Sequence, residues 1–573
     1  MKNFLRKALV VVASFAMVLS SFTFVNVANV VAAEAEYEIY PIPQDIEYMD
    51  GEVTLGTTVN INFGSSLDDV TKQHMAEALA VLGVEQALEA DFNFYVGSVG
   101  DGGEAESFIN ANGGYTEGLM DKIDAHIIVV KGDTIAVLGK DTDAAFYGVT
   151  TLKHIFKQVD GTVRELVIED YADTKTRGFI EGYYGIPWSD EDRMSLMEFG
   201  GEFKMTSYIF APKDDPYHSA SWRTPYPAER LAEIAEMVEV GNANKCRFVW
   251  TIHPFMNGGI TASSYATDIQ KIIAKFDQLY EIGVRQFGVL GDDAGNLPRA
   301  VVINVMNDLQ EWADAKGDVY NLMFCPQGYN HSWQGNYGEI NELDTAFDER
   351  IDIFWTGEAV CKPVSQVTLD HFRTYNNTTG KAKRRAPLFW LNWPVNDINM
   401  KRLMMGKGIE LHNDVNPEDL SGVVTNPMQE AEASKVALFA VADYAWNVNS
   451  FDDDQSWADS FKYIDENAGD ALHIMASHLS DSSPNGHGQN LPESEYMLDA
   501  INVFKEKFAN GDSIKVEGEA LIAQFEEVVK ACDDFDALSK NENLKEEINS
   551  WRLSLKDLSN AIINFIEAAI AYE

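Results

Sequence analysis

The chain has 573 residues, 46% hydrophobic and 11% aromatic, enough for a large core and about two to four domains. Its 90 acidic residues against 44 basic ones give a formal net charge of −46. Such a surface repels nucleic acid and anionic membranes, so neither is expected as a partner, and it disfavours a polyanionic polymer as ligand.

The first residues carry an export pattern. Lys2, Arg6 and Lys7 form a basic region, residues 8–33 hold no charge, and small residues offer cleavage after Ala33 or Ala35. Residues 1–33 are therefore expected to be a secretory signal peptide, and the mature protein to be extracellular or cell-surface associated. Kept uncleaved, the same segment is long enough to act as an anchor. No other segment is long and apolar enough to span a bilayer. The four cysteines, Cys246, Cys325, Cys361 and Cys532, make no CxxC and are expected to be buried thiols; a Cys246–Cys325 or Cys325–Cys361 bridge is the alternative.

Residues 37–173 read as a small α/β domain. "TVNINF" and "DFNFYVGSV" alternate as strands do, and "AHIIVVKGDTIAVLGKD" is a hairpin turning at residues 131–133. "TDAAFYGVTTLKHIFKQ" has helical spacing, with Phe146, Thr150, Leu152, Ile155 and Phe156 on one face. Over residues 174–428 eight short apolar runs alternate with helical stretches: "RGFIEG", "TSYIFAP", "RFVWTIHP", "RQFGVLGDD", "NLMFCPQGY", "IDIFWTG", "PLFWLNW" and "GVVTNPM". Eight continuous apolar strands over about 250 residues describe a (β/α)8 TIM barrel. Residues 429–573 read as a C-terminal helical domain that serves packing, with a loop at Pro484 and Gly488. The fold class expected is thus α/β.

In such a barrel chemistry gathers at the C-terminal strand ends. There stand Glu181, Gly182, Tyr183 and Tyr184, then Lys213, Asp214 and Asp215, then His253, Asp292 and Asp293, Tyr329, Thr356, Asn392 and Asn426. Polar side chains beside Trp390, Trp393 and Tyr183 suit a sugar, with hydroxyl partners at its edge and flat faces for its apolar sides. His253 is the one histidine at these ends, so no metal site and no cofactor is expected.

Adjacent aspartates occur at five places in the chain, so only context can single out Asp292 and Asp293. The pairs at residues 68–69 and 533–534 read as solvated helix faces, and residues 452–454 as the acidic start of a helix. Asp214 and Asp215 are expected to bond loop backbone, Glu181 to be a buried paired carboxylate, and His253 to be a supporting residue. Carboxylates from neighbouring residues cannot easily flank a glycosidic bond from opposite faces as an ordinary nucleophile and acid do. A substrate whose own 2-acetamido oxygen attacks the anomeric carbon removes the difficulty, because one Asp then orients the acetamido group while the other handles the leaving oxygen.

"RGFIEGYYGIPWSDEDR", "YIFAPKDDPYH", "FGVLGDDAG", "FWLNWPVND" and "TNPMQEAEASK…ADYAWN" resemble glycoside hydrolase family 84, the family of bacterial β-N-acetylglucosaminidases, the so-called hyaluronidases, and of O-GlcNAcase. The resemblance covers residues 37–560 and implies a retaining, exo-acting enzyme that removes terminal β-linked N-acetylglucosamine through an oxazoline. It implies that Asp292 polarises the acetamido group and that Asp293 is the general acid/base. It also implies that Gly182, Lys213, Asn392, Asp397 and Asn426 bind the sugar, that Tyr329 bounds the acetamido pocket, and that Trp390 lines it. Gly291, Ala294 and Leu391 depart from the family pattern, which puts leaving-group preference and the packing of the pocket wall in question. An endo-acting hyaluronan or glycan hydrolase, and a catalytically silent glycan-binding protein, are the rival expectations.

Overall fold

The computed structural model describes residues 36–256, 258–295, 297–480 and 491–573. The export segment and the loop at Pro484 and Gly488 lie outside the described residues.

The N-terminal layer is a seven-stranded mixed sheet. It contains β1 (Asp45–Thr54), β2 (Thr58–Phe63), β3 (Glu85–Gln86), β4 (Phe92–Ser98), β5 (Ile123–Lys131), β6 (Thr134–Gly139) and β7 (Thr162–Ala172), in the order β1-β7-β5-β6-β4-β2-β3. The hairpin read at residues 131–133 joins antiparallel β5 and β6. Three helices accompany the sheet: α1 (Asp69–Leu82), α2 (Glu104–Ala111) and α3 (Thr142–Phe156). The sequence reading gave α3 a single apolar face. In the fold every residue from Ala144 to Phe156 is buried except Lys153. One side packs on the sheet, while Tyr147 on another meets Trp446 and the Arg177 guanidinium, so the helix has no free side. Asp68 is likewise no solvated face: its carboxylate caps α1 at the Thr71 N–H, 2.8 Å away, and pairs with the buried Lys245.

The second layer is a closed parallel barrel. Its strands are β8 (Thr176–Ile180), β9 (Ser207–Phe210), β10 (Arg247–Ile252), β11 (Gln286–Leu290), β12 (Met323–Cys325), β13 (Asp352–Trp355), β14 (Leu388–Pro394) and β15 (Gly422–Asn426), with β15 pairing back onto β8. Each apolar run read from the sequence lies on one strand. Because the strands are covered on both sides they need no polar alternation. Around them run α4 (Asp190–Glu202), α5 (Ala228–Ala243), α6 (Tyr265–Glu281), α7 (Arg299–Lys316), the short α8 (His331–Gln334), α9 (Gly338–Ala346) and α10 (Gln366–Thr374). Ser189 and Asp192 close a capping box at the start of α4, satisfying backbone donors that the first turn leaves free. Between β14 and β15 the described residues hold only a 3-10 turn, Pro417–Asp419, and no α-helix.

The remaining helices are α11 (Ala431–Trp446), α12 (Asp453–Ile464), α13 (Gly469–Ala476), α14 (Glu495–Asn510), α15 (Lys515–Leu538) and α16 (Glu542–Tyr572). Asp452 caps α12 by accepting from the Gln455 N–H at 3.0 Å, as the acidic start of a helix should. The sequence reading grouped α11 with the C-terminal helices, yet it packs on β8, β15 and α4 as the helix after the eighth strand. All sixteen of its residues are buried. It is apolar on every side, as a fully enclosed helix must be. Of its charges, Lys435 pairs with Glu432 at 2.6 Å, and Asp443 accepts the Ile42 N–H at 3.0 Å. All four cysteines are buried and free.

Candidate active site

The strand ends converge on a cavity of about 370 Å3. Its wall contains all nine residues picked out from the sequence: Gly182, Lys213, Asp292, Asp293, Tyr329, Trp390, Asn392, Asp397 and Asn426.

Asp292 follows β11 and is buried, at 6% exposure. It is held from two sides. The His253 imidazole contacts the Asp292 backbone carbonyl at 2.6 Å and its Oδ1 at 3.7 Å, while Lys213 Nζ stands 3.8 Å from Oδ2. Oδ1 is sealed from solvent and has no hydrogen-bond donor within the protein. A buried carboxylate oxygen without a donor is unfavourable unless something else supplies one, and this oxygen belongs to a residue that lines the cavity. Burial pulls the Lys213 ammonium down, but Asp292, then Tyr184 and Asp293, outweigh it and hold its pKa above the ordinary value.

Asp293 differs from its neighbour in backbone and in setting. Its φ is +54°, a left-handed conformation uncommon for a non-glycine residue. The turn lets consecutive carboxylates leave the strand in different directions, Asp292 buried and Asp293 exposed. Asp293 Oδ2 accepts from the Tyr184 hydroxyl at 3.1 Å. Tyr184 in turn donates its N–H to Asp397 Oδ2 at 3.1 Å and lies under the Lys213 ammonium, 5.0 Å from the ring centre.

The opposite wall is one hydrogen-bonded chain. Trp390 Nε1 donates to Asn392 Oδ1 at 2.9 Å, Asn426 Nδ2 donates to the same oxygen at 2.9 Å, and the Gly182 N–H donates to Asn426 Oδ1 at 3.2 Å. Asn392 Nδ2 is fixed on the Val360 carbonyl at 2.7 Å. Position 182 must be glycine because a Cβ there would stand 2.5 Å from the Trp390 ring. Tyr329 is 9% exposed, and its ring meets Trp333 edge-on at 4.8 Å. Burial first, and Asp293 next, push the Tyr329 hydroxyl pKa far up, so it stays a neutral donor.

Of the supporting acids Glu181 and Asp215 fall as the sequence suggested, whereas Asp214, expected to bond loop backbone, makes no such bond among the described residues. Glu181 is buried and receives the Arg193 guanidinium at 2.9 and 2.8 Å, with Tyr208 also donating. Burial raises its pKa above the usual carboxylate range although these donors oppose it. Asp215 accepts the Tyr217 and His218 N–H groups at 2.7 and 3.0 Å, and Asp214 is exposed. Of the departures from the family pattern, Gly291 and Leu391 do not reach the cavity. A Cβ on Gly291 would meet the Cys325 carbonyl and Leu297 at 2.9 Å, and Leu391 is 1% exposed in the barrel wall. Ala294 lines an adjoining hollow with Asp293, Gln327, Gly328, Trp333 and Glu339.

A family description of β-N-acetylglucosaminidases matches residues 177–477, and one of glycosyl hydrolase family 20, domain 2, matches residues 36–171. The solved structure of CpGH84D is 48% identical with a TM-score of 0.89, covering 94% of this chain and 90% of that one. The chain belongs to glycoside hydrolase family 84. CpGH84B, 28% identical with a TM-score of 0.83, covers 93% of this chain and 92% of its own. The mouse protein O-GlcNAcase is 28% identical over 300 residues, 49% of this chain and 31% of the mouse protein. The chain thus spans about a third of the length of the curated relatives it matches.

Within this family frame the cavity also holds residues to which the sequence reading gave no role. Tyr184 and Trp333, 54% and 51% exposed, stand in the cavity wall. Tyr184 lay inside a quoted motif, but its bond to Asp293 depends on a fold between residues 109 positions apart. Trp333 sits on α8, a single turn beyond the fifth strand end, and no periodicity marks it.

Proposed function

We propose that the protein is an exported, retaining, exo-acting β-N-acetylglucosaminidase that uses the substrate's 2-acetamido group as nucleophile. The observation that carries this reading is the adjacent pair in one cavity wall, Asp292 buried beside Lys213 and Asp293 turned outward to the Tyr184 hydroxyl. Hydrogen bonding to Asp292 makes the amide oxygen more nucleophilic. That oxygen bonds to the anomeric carbon as the glycosidic C–O bond breaks, and Asp293 gives its proton to the leaving oxygen. Lys213, 3.8 Å away, steadies the charge on Asp292. Tyr329 bounds the acetamido methyl and donates toward the forming oxazoline. In the second half Asp293, now a carboxylate, takes a proton from water as that water opens the oxazoline at the anomeric carbon. The acetamido group is restored, and two inversions give net retention.

Asn392, Asn426, Asp397 and the face of Trp390 bind the sugar's hydroxyls and ring. A cavity of about 370 Å3 is at the small end of ligand sites, roughly 300–1,000 Å3, which favours one terminal residue over a polymer segment. The natural substrate is then a glycan or glycoprotein ending in β-linked N-acetylglucosamine. Among the described residues no helix is long and apolar enough to cross a membrane; export rests on the leader pattern alone. The test is direct. An aryl β-N-acetylglucosaminide should be hydrolysed at least ~100-fold faster than the matching aryl β-glucoside, the contribution expected of a correctly placed catalytic group. Equal rates would contradict the reading. Release of single sugars from a defined oligosaccharide, rather than internal fragments, checks the exo mode.

A further inference from the structure

Directly behind the pocket wall three residues from three chain segments meet. His331 opens α8 after β12, Glu358 lies in the loop after β13, and His371 is on α10. Their ligating atoms all lie within 4.8 Å of one another. His371 Nδ1 is 2.5 Å from Glu358 Oε1, and His331 Nε2 is 4.0 Å from Glu358 Oε2. The two imidazoles stack with centroids 4.5 Å apart and planes 15° from parallel, so the His371 ring must turn out of the stack before both lone pairs can meet at one point.

A simple ion pair explains His371 and Glu358 but not His331. At 4.0 Å its Nε2 is beyond hydrogen-bond reach of the carboxylate. The other ring nitrogen, Nδ1, is already bonded to the Tyr337 hydroxyl at 2.6 Å. That partner fixes the ring's orientation and leaves Nε2 as the atom turned toward the cluster, the arrangement by which metal-ligating histidines are usually held. Tyr375 stands edge-on to both imidazoles at 5.3 Å and closes one flank. The side chains of His331, His371 and Glu358 remain 31%, 29% and 31% exposed, so an ion can enter.

We propose that His331, Glu358 and His371 form a binding site for one divalent transition-metal ion of the Zn2+ class, which ties the loops after β12 and β13 together behind the pocket. Two imidazoles and one carboxylate suit Zn2+ rather than Ca2+ or Mg2+, which take oxygen ligands. A tetrahedral ion with bonds of ~2.0–2.2 Å sets its donors roughly 3.3–3.6 Å apart. The 2.5 Å contact must therefore open, and donors that all lie within 4.8 Å of one another must close by no more than about 1.5 Å. The loops are already joined here, since the His331 N–H donates to the Gly357 carbonyl at 2.9 Å and the Thr356 N–H to the Tyr329 carbonyl at 2.9 Å. Tyr329 and Trp333 flank His331 in sequence and stand in the cavity wall. The ion is thus a positioning element outside the reacting centre, and its binding does not depend on the reaction proposed above.

The test uses the untagged full chain, stripped with chelator, incubated with ZnCl2 and desalted. Wild type should retain one equivalent of zinc by elemental analysis, and His371→Ala and Glu358→Gln should retain at least tenfold less. His412→Ala, which alters an exposed histidine elsewhere, should retain the full equivalent. Because a variant can misfold, wild type is also titrated with CoCl2, where one equivalent should give the visible absorption of a nitrogen- and oxygen-ligated Co2+. Hydrogen exchange over residues 329–334 and 356–360 should slow on adding ZnCl2. Wild type that retains no zinc and gives no Co2+ band, or equal retention in all variants, overturns the site. Stoichiometric binding with unchanged exchange overturns the tying of the loops.

Discussion

At the residue scale the two neighbouring acids stand in different settings because the chain turns between them. Asp293 at φ +54° faces outward to Tyr184, while Asp292 is buried between His253 and Lys213. Asp293→Asn should therefore spare activated aryl N-acetylglucosaminides, whose leaving groups need little proton donation, and slow poor leaving groups by ~10²–10⁴-fold. Asp292→Asn should slow both classes alike by ~10²–10³-fold, because it removes assistance to the nucleophile. Initial rates over a series of leaving groups separate the two. Gly182→Ala should raise KM more than it lowers kcat, since its Cβ would displace the Trp390 ring, 2.5 Å away; Michaelis curves check this. The nine site residues were legible because each stands at a strand end or inside a quoted motif. His331, Glu358 and His371 were not, because they come from two helices and a loop and only the folded chain brings them within 4.8 Å.

At the element scale the eight barrel strands were readable because a strand covered on both faces needs an unbroken apolar run. Helix α11 was readable as a helix but not as part of the barrel, since a helix buried on every side has no face to reveal its neighbours. Its first turn carries a testable feature. Glu547 on α16 accepts the Glu432 and Ala433 N–H groups at 3.0 and 3.1 Å, and burial, with Glu432 and Asp192 adding to it, pushes its carboxyl up to about 8. A carboxyl with a raised folded pKa holds its proton more tightly in the folded chain than in the unfolded one. Its contribution to stability is full below the ordinary value of 4.5 and is lost as pH rises to about 8. Glu547→Gln should therefore flatten the fall in Tm between pH 5 and 8 relative to wild type, as thermal melts at several pH values would show.

At the scale of the whole molecule the sheet layer is fastened to the barrel by buried charge. The ammonium of Lys204, fully buried before β9, meets the equally buried Asp170 of β7 at 3.0 Å and lies over the Trp446 ring at 4.1 Å. Arg177 on β8 reaches Asp124 on β5 at 2.7 Å. Removing one partner of a buried pair strands the other, at about 3–5 kcal/mol. Lys204→Ala should therefore lower the unfolding free energy by ~3–5 kcal/mol, read from the denaturant midpoint at unchanged slope. The composition of the chain could not show this joint, because its partners lie far apart in sequence. The barrel so held presents Asp292 and Asp293 in one cavity wall, and the central claim is that the substrate's own acetamido oxygen is the nucleophile. That claim is tested most directly with aryl glucosaminides whose N-acetyl group carries zero, one, two or three fluorines, each of which weakens the amide oxygen as a nucleophile. The account predicts that kcat/KM falls steeply and monotonically along the series. A flat series would show that the acetamido oxygen does not attack and would contradict it.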